Sequence, residues 1–173
     1  ITSGGGGMEY GGATMTSLGA FGHEFTHFWF ARGVMPSKGN SGWIDEAIAS
    51  WRDNGYPRAR GEPSRSSVNL GGFSPYRRHT TREAYSRGAT LMSEFDYMFR
   101  GQGGMRSILK TMYEQKQKKT ITIDWFKDFM EAETGRDLTR IFNRYVFGRS
   151  SKTDAQVAEA TWELIPNAHP RPY

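Results

Sequence analysis

The 173-residue sequence predicts a mainly α domain, α+β overall, with a short strand at its N-terminal edge. Three observations predict it. Apolar residues recur at helical spacing in six segments, most of them bounded by residues that start or stop helices. Glycine dominates residues 4–12, which fits an exposed strand edge and no helix. Finally, 36% hydrophobic and 14% aromatic residues supply a core, which excludes a disordered or collagen-like chain.

Taken in order, residues 4–12 are too glycine-rich for a buried strand and read as a bend or an exposed edge that another backbone approaches closely. From about residue 14 to 31, Leu18, Phe21, Phe25 and Phe28 mark a helix that Gly33 and Pro36 end, with Phe25, Phe28, Trp29 and Trp51 as core. A second helix is expected over 43–53, with Ser41 as its N-cap. Residues 54–79, rich in Gly, Pro, Ser and Arg, form a long excursion. Thr80 and Glu83 make a capping-box pattern that opens a helix to about residue 99. Gly101, Gly103 and Gly104 interrupt it, and a further helix runs to about Lys116. Thr122 caps the next helix, Gly135 terminates it, and residues 137–147 make one more. The tail after Gly148 is expected to hold a short helix around 154–164 and then turns proline-rich. The domain is thus assigned to residues 1–148, with 149–173 a tail or the start of a following segment.

No run approaches 18 consecutive apolar residues, so no transmembrane segment is expected, and the first 30 residues lack a signal-peptide pattern. The compartment stays open. The net charge is +5, from 23 Lys and Arg against 18 Asp and Glu, but it is unevenly spread. Residues 1–50 carry two basic and four acidic side chains, whereas all nine basic residues of 51–100 are arginines. No RNA-binding motif, helix-turn-helix pattern or phosphate-cradling loop stands beside them, so the block reads as a solvated loop and no nucleic acid is expected as a partner. The chain has no cysteine, so any metal must be held by His, Asp or Glu.

His23-Glu24-Phe25-Thr26-His27 is an H-E-x-x-H sequence within the first expected helix. His23 and His27, four apart, project from one face as two zinc ligands must, and Glu24 beside them can reach a metal-activated water without ligating the metal. A catalytic zinc wants a third protein ligand and an open fourth position. Glu46, separated from His27 by eighteen residues and lying on the second helix, returns against the histidine pair and is the expected ligand. Asp45 is the alternative on that helix; if Glu46 faces the metal, Asp45 is expected to orient a histidine instead.

These residues resemble the gluzincin zinc metallopeptidases, specifically the aminopeptidase family marked by H-E-x-x-H, eighteen residues, then Glu. Gly6-Gly7-Met8-Glu9-Tyr10 resembles that family's Gly-x-Met-Glu-Asn exopeptidase motif, with Tyr10 in place of the asparagine. Trp43-Ile44-Asp45-Glu46-Ala47 matches the pattern around the third ligand, and Tyr85-Ser86-Arg87-Gly88 resembles the family's Tyr-Glu-Lys-Gly. The segment from residue 120 to 147 resembles the helical end of the catalytic domain.

The resemblance implies the helical C-terminal part of a thermolysin-like catalytic domain holding one zinc ion on His23, His27 and Glu46. It further implies Glu24 as general base and Tyr85 as the hydroxyl that stabilises the tetrahedral intermediate; Tyr76 and Tyr97 are rivals for that role. Gly6, Gly7, Met8 and Glu9 would bind the substrate, Glu9 gripping a free α-amino group. The implied activity is release of N-terminal residues from a peptide or protein substrate. Since the chain starts at the substrate-edge strand, a missing N-terminal part of the parent protein is expected to pack on it. A zinc endopeptidase and a non-catalytic metallopeptidase-like scaffold are the competing expectations. Arginines between 58 and 87 near the cleft would favour acidic residues or a peptide's C-terminal carboxylate, but no spacing places any one of them there.

Overall fold

A computed structural model describes residues 7–10 and 13–149, without the side chains of Glu9 and Tyr10. Gly6 and the helix expected around 154–164 lie outside the described residues, as does the Glu9 side chain. The described chain is mainly helical, with two small two-stranded sheets.

The chain opens as a hairpin. Strand β1 (Gly7–Tyr10) pairs antiparallel with β2 (Ala13–Thr16), Gly7 opposite Thr16 and Glu9 opposite Thr14. This corrects the helix expected from residue 14, because α1 spans only Phe21–His27 and continues as a wider π turn, Phe28–Gly33. The cause is local: Thr14 and Thr16 alternate with Ala13 and Met15, a period of two with β-branched residues that strand pairing satisfies. Leu18 lies in the intervening turn and is 78% exposed. Phe25 and Trp29 are not core either. They form with Phe21 an exposed aromatic row, with ring centroids 5.6 Å (Phe21–Phe25) and 4.8 Å (Phe25–Trp29) apart.

Beyond α1, β3 (Val34–Pro36) pairs in parallel with β4 (Lys119–Ile121). Helix α2 spans Trp43–Asp53, as expected, but Ser41 does not cap it. The Ser41 hydroxyl is buried without a hydrogen-bond partner, and its carbonyl instead accepts from the Ile44 N–H at 3.1 Å. Along α2, Trp43, Ile44, Ala47, Ile48 and Trp51 fall on one stripe and are fully buried. Trp43 meets Phe126 and Phe142 edge-on, at 6.1 and 6.4 Å, and the Trp51 indole N–H donates to the Pro57 carbonyl at 2.8 Å.

The capping box at Thr80 and Glu83 does not form: the helix begins with a π turn, Ala84–Gly88, without a side-chain cap, and continues as α3 (Ala89–Met98). Helix α4 (Met105–Lys116) follows a short 3-10 turn, and then come α5 (Ile123–Thr134) and α6 (Thr139–Ile141), which runs into the π turn Phe142–Val146. Thr122 caps α5, its hydroxyl accepting from the Trp125 N–H at 3.1 Å, and Gly135 ends it at φ +66°. Trp43, Trp51, Phe95, Phe99, Phe126 and Phe142, all fully buried, belong to one continuous core.

Residues 54–79 hold no helix, and their one strand-like contact is a bridge from Asn69 to Phe147. They are nevertheless tied down. Arg58 and Arg65 pair with Asp96 and Glu94, two carboxylates buried on α3, and Leu70 donates its N–H to the Val146 carbonyl at 3.0 Å. Carboxylates are costly to bury unless paired, so these half-exposed arginines serve a structural role by neutralising Asp96 and Glu94. Among the described residues no helix is long and apolar enough to cross a membrane.

The turn leading into α3 packs tightly on α2 at Gly88, where a Cβ would sit 2.8 Å from the Ala47 Cβ. Gly88→Ala is therefore expected to lower unfolding free energy by about 1–3 kcal/mol in urea titration. Gly101→Ala, with nothing within 4 Å of the added carbon, should change it by less than about 0.5 kcal/mol.

Candidate metal centre

Helices α1 and α2 lie side by side in opposite directions, because His23 meets Glu46 and Asp53 while His27, one turn later, meets Glu46 and Asp45. Three of the expected ligand atoms converge. His23 Nε2 is 3.0 Å and His27 Nε2 3.4 Å from Glu46 Oε2, and one ligand atom from each of the three residues lies within 4.8 Å of the others. Tetrahedral zinc with ligands at ~2.0–2.1 Å places its donor atoms ~3.3 Å apart, so this two-nitrogen, one-oxygen set fits the ion.

Behind the ligands stand two carboxylates. Asp45 was expected to orient a histidine, and its Oδ2 lies 3.4 Å from His27 Nδ1, an ion-pair distance. Asp53 was missed. His23 Nδ1–H donates to Asp53 Oδ2 at 2.7 Å, which commits that nitrogen and leaves Nε2 for a metal. The available signal was spacing: Asp53 lies seven residues after Glu46, two helical turns on and on the same face of α2.

Proximity of these charges moves the titrations. Burial opposes an imidazolium at His27, yet Asp45 and Glu46 outweigh it and hold His27 up at about 10. His23 is also raised, with burial again opposing and Glu46 and Asp53 prevailing. Burial alone would raise Glu46, but hydrogen bonds from His23 and His27 bring it down to about 2. Burial pushes Asp45 up, so the proton between Asp45 and His27 belongs to the pair.

The centre opens into a cleft of about 740 Å³. Glu24, only 6% exposed, lines it beside both histidines. Gly7 of β1 presses against Glu24: a Cβ at Gly7 would lie 2.5 Å from Glu24 Cγ, so only glycine lets the strand come this close. Gly7 and Met8 form part of the cleft wall. Of the three tyrosines, Tyr85 lines the cleft and lies parallel to the His23 ring at 6.0 Å, whereas Tyr76 and Tyr97 do not line it. Burial and then the Glu46 charge hold the Tyr85 hydroxyl above its ordinary range, so it stays protonated and can donate. His79 packs on Phe73 at 4.5 Å, away from the centre.

Two outcomes follow. Asp53→Asn should weaken zinc binding about 10–100-fold, read by competition with a chromophoric chelator. A histidine raised from 6.5 to about 10 stabilises the fold below pH ~6.5 and loses that contribution as pH climbs through about 10; Glu46, lowered from 4.5, contributes above pH ~4.5 and loses it as pH falls toward about 2. Thermal unfolding of the chelator-treated chain should accordingly show its highest midpoint between pH ~4.5 and ~6.5.

Comparison with family models, with curated proteins and with solved structures finds no match to this chain.

Proposed function

We propose that the chain is a zinc-dependent metallopeptidase of the gluzincin kind, built on the helical part of a thermolysin-like catalytic domain, and that it acts as an aminopeptidase. The observation that carries this reading is the convergence of His23, His27 and Glu46 at zinc-ligand spacing in a cleft that also contains Glu24 and Tyr85. The residues fit one role each.

A zinc ion bound there supplies Lewis acidity and lowers the pKa of water toward ~7. Glu24, buried on α1 against Gly7 of β1, accepts the proton of the attacking water and returns it to the leaving amine, so that one peptide bond and one water become a carboxylic acid and an amine. The protonated Tyr85 hydroxyl donates to the oxygen on which negative charge develops. Asp53 and Asp45 hold the two imidazoles in orientation. Strand β1 is paired on one side only among the described residues, which leaves its other edge for an extended substrate backbone. Glu9, on that strand, is the proposed holder of the substrate's α-ammonium group.

Hydrolysis of fluorogenic aminoacyl amides should be zinc-dependent and abolished by chelator. Glu24→Gln should keep stoichiometric zinc while lowering kcat about 10²–10⁴-fold, and Tyr85→Phe should lower kcat about 10²–10³-fold. Absence of stoichiometric zinc by elemental analysis overturns the reading. Equal cleavage of free and N-acetylated peptides would replace the aminopeptidase by an endopeptidase.

A further inference from the structure

The cleft has a second chemical end. Beyond the ligand set, its wall is made by the chain leaving α1, with Arg32, Met35, Pro36, Ser37 and Lys38, and by Arg78 at the end of the 54–79 segment with Thr80 just after it. Gly39 joins the two strips of chain. Its N–H donates to the Pro75 carbonyl and its carbonyl accepts from the His79 N–H, both at 2.8 Å. A Cβ at Gly39 would lie 2.5 Å from the Arg77 carbonyl carbon and 2.8 Å from the Arg78 nitrogen, so glycine is what permits the approach. The pairing brings Lys38 and Arg78 onto the same wall.

These two cations differ from their neighbours. Arg58, Arg65 and Arg87 are engaged with Asp96, Glu94 and the Ser66 carbonyl, and Arg52 with Asp53. No described residue pairs with the side chain of Lys38 or Arg78, and the acidic residues lining the cleft, Glu24, Asp45 and Glu46, all belong to the metal end. Like charges gathered in a concavity repel one another and attract an anion into it. A short unblocked peptide is itself a dipole, an ammonium at one end and a carboxylate at the other. The cleft offers the matching polarity.

We propose that Lys38 and Arg78 form an anion-binding subsite that takes a carboxylate of the substrate. The chain would thus act preferentially on short peptides with a free C-terminal carboxylate, or on peptides placing an acidic side chain there. The inference rests on the peptidase reading above.

Its test measures peptide binding by calorimetry to the full zinc-loaded chain carrying Glu24→Gln, so that bound peptide persists. Ala-Ala-Ala is compared with its amide, and Ala-Ala-Glu-amide with Ala-Ala-Gln-amide, which separates a terminal carboxylate from an acidic side chain. One or both anionic peptides should bind about tenfold more tightly than their neutral partners. Lys38→Gln combined with Arg78→Gln should reduce that ratio to below about threefold, as should raised salt. Circular dichroism checks that the exposed double substitution keeps the fold. Equal binding of acid and neutral peptides, no binding of either, or a preference that survives the double substitution overturns the subsite. Hydrolysis by the unsubstituted chain is followed in parallel. Cleavage without carboxylate preference sinks the subsite alone, whereas carboxylate-selective binding with neither zinc nor cleavage sinks the peptidase reading and with it any claim that the bound peptide is a substrate.

Discussion

Glu46 is shared by two imidazoles, and the docking of α1 on α2 follows from that sharing. A carboxylate largely withdrawn from water needs partners, and His23 and His27 supply them from successive turns of one helix. Two contacts a turn apart fix both the rotation and the axial position of α1. With Asp53 hydrogen-bonded to His23 Nδ1 and Asp45 3.4 Å from His27 Nδ1, the same five side chains that would position a metal also set the register of the helix pair. Changing any one of them disturbs packing as well as coordination.

Helix α2 can carry so many charges on one side because its other side is anchored independently. Trp43 and Trp51 lock it into the aromatic core two turns apart, and Gly88 lets α3 close against Ala47. The arginine-rich excursion repeats this division of labour. Arg58 and Arg65 neutralise buried carboxylates of α3 and hold the loop, which frees Arg78 further along to face the cleft. Net charge alone describes neither role.

What could be read in the sequence was local. The span of α2, the Thr122 cap and the Gly135 stop depend on periodicity and on the conformational preferences of single residues. The i, i+4 pairing of His23 and His27 and the eighteen residues between His27 and Glu46 were visible for the same reason. The start of α1 was hidden, because a phenylalanine stripe overlapped an alternating Thr-containing strand. Ser41 and Thr80 looked like caps but answer to tertiary packing; the Thr80 hydroxyl oxygen lies 2.6 Å from where a Cβ of Gly42 would be. Asp53, Lys38 and Arg78 acquire meaning only when α1 lies on α2 and when Gly39 meets the chain between Pro75 and His79. No spacing along one strip of sequence encodes that meeting.

The floor beneath the centre is built from the far half of the chain. Trp43 rests on Phe126 and Phe142, and β3, in the wall of the cleft, pairs with β4. Synthesis at ~5–20 residues per second separates residue 43 from residue 142 by roughly 5–20 s. Throughout that interval the ligand set exists as sequence without the packing that holds its helices together. The centre is complete in time long before it can be complete in space.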